Sequence, residues 1–297
     1  MPAGRKRAFA WVALAYAVAV AAALAAGWAC QWALTTNPLV VAGVADAAAT
    51  LVVFAFSLAL RNSSFYDAYW SVAPPLLILY WLLETGSGSS PFSWLLLGLV
   101  CVWSVRLTWN WAHGWMGLEH EDWRYRDLQA RLGPWYWLVS FTGIHLMPTV
   151  LVFLGCVPVL LLFERDPGGL HVGVAALALL VGGAAVALEA RADMELHQFR
   201  ARRESPEQVL STGVWGWCRH PNYLGELGFW LALGLSAAAA GVSLLAAGVG
   251  ILAMLGLFVG VSIPMLEKRL LAAKPGYAEY RRSLYALLPV GSRWRRR

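Results

Sequence analysis

The sequence predicts an all-α protein, a polytopic membrane bundle of about seven to eight transmembrane helices. Hydrophobic residues fill 59% of its 297 positions and charged residues only 13%, about half the charged share of a soluble domain. Apolar runs of about 20 residues, the length that crosses a bilayer as a helix, recur along the chain. Almost all Lys and Arg residues fall between alternate pairs of these runs, which is the pattern of the positive-inside rule.

Eight apolar runs are the predicted spans. The first follows the basic residues RKR and is too long for the apolar core of a signal peptide. The third is short, and Pro148 and Pro158 interrupt the fifth. Stretches rich in alanine and glycine are typical of helices that pack closely in lipid. In chain order the spans lie near 8–30, 38–60, 70–84, 92–112, 135–163, 170–190, 222–239 and 241–265.

The basic residues orient these spans. With eight spans and a cytoplasmic N-terminus, every Lys and Arg except Arg165 falls on or next to the cytoplasmic side, and the C-terminus is cytoplasmic as well. Seven spans, with the first absent, is the nearest alternative. We expect an integral protein of the cytoplasmic membrane. Its N-terminal membrane helices, 1–60, and a second membrane region, 61–297, are expected to form one integrated bundle.

Several function classes are disfavoured by composition and motifs. The four cysteines form no CxxC pair, and no HExxH motif is present, so we expect no metal site. No GxGxxG or Walker loop indicates a soluble nucleotide-binding domain. The net charge of +6 fits anchoring at the cytoplasmic membrane surface better than nucleic-acid binding. One cluster in the polar connection 113–134 is interpreted as a solvated, salt-bridged loop and not as a set of metal ligands: His113, Glu119, His120, Glu121 and Asp122.

Polar residues crowd the mouth of the 222–239 span, in the stretch WCRHPNYLGELGFW. Ionisable residues at a membrane boundary usually have a function or a partner. Snorkelling explains any single arginine, but it does not explain Asn222 and Glu226, which lie four residues apart at the start of a span. Upstream, RADMELHQFRARR places Asp193, His197 and Arg200 on one stripe of a predicted helix.

This combination of side chains favours an anionic nucleotide cofactor over a metal. Arg200 and Arg219 can hold phosphate groups through paired hydrogen bonds. Asn, Tyr and Glu side chains can fix a ribose or the edge of a base.

These motifs together resemble the steroid 5α-reductase family, and more closely its bacterial branch of uncharacterised membrane proteins. The resemblance covers roughly residues 60–289. It depends on RNSSFYDAYWSVAPP, EDWRY, the Asp193–Arg200 helix, RHPNYLGE and the tail EKRLL…GYAEYRRSLYALLP. The isoprenylcysteine carboxyl methyltransferases, which use S-adenosylmethionine, share RHPxYxG.

The resemblance implies a reductase-like membrane domain in the 61–297 region, with cytoplasmic loops that bind NADPH. The reaction is the reduction of an activated C=C bond, an enone, in a steroid-like or isoprenoid substrate. The family's cofactor-binding positions correspond to Asp193, Arg200, Asn222 and Glu226. Their polar neighbours and the tail motif complete the expected cofactor site with His197, Arg219, His220, Tyr223, Glu267, Arg269 and Tyr280.

The resemblance also implies a catalytic acid that engages the substrate carbonyl. Asp67, seven residues before Pro74, occupies its place, where steroid-reducing members usually carry the longer glutamate. The family's partner tyrosine falls near Trp103, so Tyr69 or Tyr80 is the expected substitute. A protonated acid near the carbonyl oxygen stabilises the enolate that forms when hydride is added to the β-carbon, and apolar surroundings favour that protonated form.

Purely structural explanations accompany these assignments. Asp67 is equally well explained as an N-cap of the third span. His145 lies inside the fifth span, and a hydrogen bond to a neighbouring helix is its commonest explanation.

Three functions therefore stay open. The first is an NADPH-dependent reductase, whose lipophilic substrate enters from the bilayer while NADPH enters from the cytoplasm. The second is a membrane methyltransferase that uses S-adenosylmethionine. The third is a non-catalytic lipid-binding membrane protein. The sequence leaves the oligomeric state open, and a monomer is compatible with it.

Overall fold

The computed structural model describes residues 3–165 and 167–290, which form helices joined by short connections and contain no β-strand. The all-α prediction is confirmed. Within the described residues, six helices are long and apolar enough to cross a membrane, so the chain is a polytopic membrane protein. The count of seven to eight spans and the cytoplasmic termini stay predictions, and residues 1–2 and 291–297 lie outside the described part. The six helices are Gly4–Ala33, Pro38–Ala59, Pro91–Gly114, Trp123–Phe163, Val172–Arg202 and Val249–Ala273.

The chain divides into two compact units, unit 1 (Met1–Glu164) and unit 2 (Arg165–Arg297). The boundary between these units, at residues 164 and 165, differs from the one expected after residue 60. The expected boundary stays a prediction.

The described residues of unit 1 form seven α-helices, and the starts of these helices follow the sequence. Asn37 caps the second helix by accepting from the N–H groups of Leu39 and Val40, and Pro38 occupies its first turn, where no N–H is needed. A π-helical turn, Ser140–Leu146, precedes the helix that carries Pro148. The helices are α1 (Ala3–Ala33), α2 (Pro38–Ala59), α3 (Tyr69–Glu84), α4 (Pro91–Gly114), α5 (Trp123–Leu132), α6 (Tyr136–Val139) and α7 (Met147–Phe163).

Small side chains bring α1 and α2 together. Ala8, Ala15 and Ala19 are buried on one face of α1, in one cluster with Ala49 and Val53 of α2. Residues of this size let two helix backbones approach closely, which is how membrane helices gain packing contacts.

The polar connection 113–134 contains a helix, α5, which the sequence interpretation did not include, and one acid of the cluster before it is not solvated. Asp122 caps α5 by accepting from Arg124 N–H and also forms a 2.8 Å ion pair with the Arg124 side chain. Glu121 is buried instead of solvated: its Oε1 accepts a 2.8 Å hydrogen bond from the backbone N–H of Ser63. The acid therefore fixes the chain just before α3.

Unit 2 is built around the close pairing of α8 and α9. A Cβ atom on Gly225 would lie 2.4 Å from Glu189 Cγ and 2.8 Å from the carbonyl oxygen of Ala185, so only glycine permits this approach. A π-helical turn, Phe258–Ser262, separates α11 from α12. The helices are α8 (Val172–Arg202), α9 (Pro221–Ala239), α10 (Leu244–Ala247), α11 (Val249–Leu257), α12 (Ile263–Ala273) and α13 (Tyr277–Ser283).

Candidate functional site

A buried carboxylate on α12 gathers three basic side chains in unit 2. Oε1 of Glu267 accepts from Nε of Arg219 at 2.7 Å and lies 2.9 Å from Nε2 of His220. Oε2 of the same carboxylate pairs with Nε of Arg281 at 2.9 Å. Glu267 is 4% exposed, and a buried charge requires such partners. We call these four residues the Glu267 cluster.

The chain after α13 completes the cluster. Nη1 of Arg219 donates to the carbonyl oxygens of Arg281 and Leu284, at 3.0 and 2.5 Å. The backbone N–H groups of Arg219 and His220 donate to the carbonyl oxygens of Tyr285 and Ala286, both at 3.0 Å. The side chain of Arg219 thus joins the entrance of α9 to α13 and to the residue that follows it.

Four of the expected cofactor residues are brought together here: Arg219, His220, Glu267 and Tyr280. The hydroxyl of Tyr280 donates to the carbonyl oxygen of Trp215 at 2.7 Å. The polar atoms named above bind one another or the backbone, so in this structure these residues support the entrance of α9.

The first turns of α9 carry the remaining motif residues. Tyr223 stacks between His220 and Phe258, with ring centroids 5.4 and 4.7 Å away. Oε1 of the buried Glu226 accepts a 2.8 Å hydrogen bond from Nε1 of Trp230. Oδ1 of Asn222 is buried and has no hydrogen-bond partner among the described residues. An acceptor in that position is suited to an N–H or O–H donor of a ligand.

Basic side chains collect where α8 ends. We call Arg200, Arg203 and Lys274 the basic cluster. Partial burial, together with the charges of Arg203 and Arg200, lowers the pKa of Lys274. Nζ of Lys274 donates to the carbonyl oxygens of Pro206 and Gln208, so it also fastens the connection after α8. Three neighbouring cations raise the local positive potential and would attract a polyanion.

The stretch with Asp193, His197 and Arg200 is helical as predicted, since all three lie on α8. The carboxylate of Asp193 is near enough to Arg200 to interact with its charge. Arg269 is exposed on α12. The roles of these four residues in binding a cofactor stay predictions.

The residues of unit 2 fit a phosphate-bearing cofactor on two counts. The basic cluster would hold phosphate groups, and the buried acceptor of Asn222 would receive a donor from the rest of the cofactor. No group of three His, Cys, Asp or Glu side chains within the described residues could hold a metal ion.

Unit 1 contains a cavity of about 490 Å³ between α1, α2 and α3. Alanines from all three helices line it, because their small side chains leave space between the backbones. Most of the other lining residues are apolar. The polar lining residues are Tyr16, Gln31, Asp46, Tyr69 and Tyr80. The cavity is therefore suited to a largely apolar molecule that carries few polar atoms.

Asp46 and Tyr69 form a buried hydrogen-bonded pair in this cavity. The hydroxyl of Tyr69 donates to Oδ1 of Asp46 at 2.7 Å. Sequence reasoning identified Tyr69 and missed Asp46. The signal was present, because Asp46 is the one ionisable residue in the apolar run 38–60, and such residues are candidates for function.

Asp67 has a different environment. Its Oδ1 accepts a 2.5 Å hydrogen bond from the hydroxyl of Tyr125 on α5, and it does not line the cavity. Burial raises the pKa of Asp67 to about 6, although the charge of Arg124 and the Tyr125 hydrogen bond act in the opposite direction. The N-cap interpretation is wrong: the cap of α3 is Ala68, and no side chain caps that helix.

Tyr80 and Tyr69 are far apart on α3. Tyr80 accepts a 3.2 Å hydrogen bond from Nε2 of Gln31 at another part of the cavity. The interpretation of His145 as a residue that bonds to a neighbouring helix is confirmed. One ring nitrogen lies 3.0 Å from Oγ of Ser57 on α2, and the other lies 2.9 Å from the carbonyl oxygen of Ser140.

Comparison with known proteins relates the chain to one uncharacterised protein and to one protein family. It is 26% identical over 289 residues to the uncharacterized protein C594.04c of Schizosaccharomyces pombe, covering 87% of this chain and 82% of the relative. No solved structure matches it. The family described as "Protein of unknown function (DUF1295)" matches residues 53–284. The chain therefore belongs to the DUF1295 family, which is known in the steroid 5α-reductase-like group.

Proposed function

We propose that this protein is a membrane-embedded, NADPH-dependent reductase of a C=C bond conjugated to a carbonyl group in a lipophilic substrate. One observation carries the proposal: a carboxyl–phenol pair, Asp46 and Tyr69, lies in an otherwise mostly apolar cavity of about 490 Å³. An apolar cavity selects a lipophile, and a positioned O–H group gives a carbonyl oxygen a hydrogen bond.

The pair can stabilise an enolate. With the carboxyl of Asp46 protonated, its O–H donates to the phenol oxygen of Tyr69, and the Tyr69 O–H turns to the carbonyl oxygen of the substrate. Negative charge that develops on this oxygen strengthens the hydrogen bond, so the interaction favours the transition state over the ground state. Asp46 thus orients and polarises Tyr69.

The basic cluster and Asn222 support the choice of NADPH. Arg200, Arg203 and Lys274 would bind the phosphate groups, and Asn222 Oδ1 would accept a hydrogen bond from the bound cofactor. When bound, the reduced nicotinamide supplies the hydride that is added to the β-carbon. The Asp46–Tyr69 pair supplies the proton, so one NADPH and one proton are consumed for each saturated carbonyl compound and NADP⁺ formed.

The cavity rim supports access from the bilayer. Leu24, Trp28 and Leu83 line the cavity and are 69%, 67% and 68% exposed. Exposed apolar side chains on membrane helices face lipid, so a lipophile can enter sideways without crossing water.

The test uses the full-length protein in lipid nanodiscs. A 3-oxo-Δ4 steroid and a linear long-chain enone are each incubated with NADPH that carries deuterium at the transferred position. Reduction adds two hydrogens, one of them deuterium, and mass spectrometry detects both. The matched control substrate is the corresponding allylic alcohol, which lacks the carbonyl and should not react.

Binding measurements separate the alternatives. We expect NADPH, and not S-adenosylmethionine, to raise the melting temperature. A shift with S-adenosylmethionine alone would support a methyltransferase instead. Enone binding without any response to NADPH and without product would support a non-catalytic lipid-binding protein.

A further inference from the structure

A second polar pair lies in the cavity of unit 1, away from Asp46 and Tyr69. Nε2 of Gln31 on α1 donates to the hydroxyl of Tyr80 on α3 at 3.2 Å, and both side chains are half-buried and line the cavity. The proposed reaction does not use this pair.

The two pairs are separated along the helices. Tyr69 and Tyr80 lie eleven residues apart on α3, which is about 16 Å at about 1.5 Å per residue. The wall between them is continuous, because Val72, Ala73 and Leu76 line the cavity on the intervening turns. The cavity is therefore long and apolar, with polar groups at two well-separated positions.

We propose that Gln31 and Tyr80 form a second anchor, which recognises an oxygen at the far end of an elongated lipophilic substrate. The Asp46–Tyr69 end of this assignment rests on the proposed function. The substrate class is thereby narrowed to lipophiles with two oxygen functions about 16 Å apart: the reacting carbonyl and a distal hydroxyl or carbonyl.

The chemistry of the pair indicates a neutral oxygen. An amide and a phenol offer N–H and O–H donors together with acceptor oxygens, and neither group is charged. A distal carboxylate or phosphate would have to give up its hydration without a cation nearby in the cavity lining, which is costly. A distal hydroxyl can both donate and accept, so it suits the pair.

The experiment measures equilibrium binding without NADPH, in nanodiscs. The probes are linear enones of increasing chain length, each prepared with a terminal hydroxyl and with a terminal methyl group. The measured quantity is the ratio of the two affinities at each length. In the wild type we expect this ratio to peak at the length that spans about 16 Å.

Variants assign the effect to the pair. Gln31→Leu combined with Tyr80→Phe should lower the peak ratio about tenfold, and Tyr80→Phe alone should lower it less. Replacing both partners by apolar groups leaves no buried group unsatisfied, so the fold should persist. Leu95→Ala, which changes an exposed leucine of α4 that does not line the cavity, is the control and should leave the peak ratio and its chain length unchanged.

A ratio that does not depend on chain length, or that survives in the double variant, overturns the anchor. A length-dependent ratio in a protein that never reduces the enone would support the anchor and refute the reductase. Reduction of both probe series, bound with equal affinities, would support the reductase and refute the anchor.

Discussion

The hydroxyl of Tyr69 on α3 donates a 2.7 Å hydrogen bond to Oδ1 of Asp46 on α2, inside a cavity formed mostly by apolar side chains. The two residues are 23 positions apart in sequence, and the packing of α2 with α3 joins them. Their position inside the apolar cavity makes them the first residues to test.

Asp46→Asn should reduce the turnover of an enone by about 100-fold or more, the usual range for loss of an acid–base group. Asn still accepts a hydrogen bond from Tyr69, so the fold and enone binding should be retained. Turnover is followed by product mass spectrometry. The matched control is Asp127→Asn, an exposed acid on α5, which should behave as wild type. If Asp67→Asn abolishes turnover while Asp46→Asn does not, the assignment suggested by the family resemblance is preferred.

Lys274→Ala or Arg200→Ala should weaken NADPH binding about tenfold, because each removes a cation from the basic cluster. The loss should shrink at high ionic strength, where screening already weakens the attraction to phosphate. Isothermal titration at two salt concentrations measures both effects. Lys268→Ala, an exposed lysine on the same helix as Glu267, is the control and should bind NADPH normally. Unchanged NADPH affinity in both test variants would refute the assignment of a phosphate-binding site to the basic cluster.

Glu267→Gln should destabilise the protein by about 3–5 kcal/mol, the cost of removing one partner of a buried ion pair. Arg219 and His220 would then face a neutral amide in place of the carboxylate, and Arg219 would keep only its bonds to backbone carbonyl oxygens. Thermal or denaturant unfolding in detergent measures the loss. Glu279→Gln, an exposed acid on α13, should change stability very little. A Glu267→Gln protein with wild-type stability would contradict the structural role of the cluster.

Because burial raises the pKa of Asp67, we expect the stability of the protein to depend on pH. Its pKa is raised by burial from 3.8 to about 6, so the folded state favours the protonated carboxyl. The stabilisation that the folded state gains from this protonated carboxyl is complete below about pH 4 and is lost as the pH rises through about 6. Asp67→Asn cannot ionise, so its melting temperature relative to wild type should rise between about pH 5 and about pH 7.5. A difference that is the same at both pH values would show that Asp67 is not titrating in this way.

Gly225→Ala should destabilise unit 2 by about 1–3 kcal/mol, because the added methyl group would overlap Glu189 and the Ala185 carbonyl and push α9 from α8. Gly256→Ala is the control, since a methyl group at that position would meet no atom within 4 Å apart from the neighbouring backbone of its own helix. Its effect should be neutral or stabilising, as alanine favours helix more than glycine does. Comparable melting temperatures for the two variants would contradict the close pairing of α8 and α9.

Helix positions could be predicted closely from the sequence. The run 38–60 corresponds to Pro38–Ala59, and the run 70–84 corresponds to Tyr69–Glu84. The physical reason is that a chain in lipid must satisfy its backbone within each helix, so span length and hydropathy determine the element. Helix α5 was missed because it is polar, although Tyr125, Leu128 and Leu132 have the helical spacing of a buried face.

Side-chain partners could not be predicted in the same way. Arg219 is interpreted from sequence as a phosphate ligand, yet the structure pairs it with Glu267, 48 residues further along. Asp46 and Tyr69 likewise meet only because α2 and α3 pack together. Which partner a charge takes depends on tertiary packing, and local pattern contains no information about that choice.

The backbone bonds from Arg219 and His220 to Tyr285 and Ala286 have a consequence for biosynthesis. Helices emerge from the ribosome in order, and early segments fold first. The entrance of α9 can make these bonds only after 66 further residues have been translated, the separation of Arg219 from Tyr285 and of His220 from Ala286. The entrance of α9 is therefore completed late, and a chain that stalls or is cut before residue 285 would leave the backbone N–H groups of Arg219 and His220 without these acceptors.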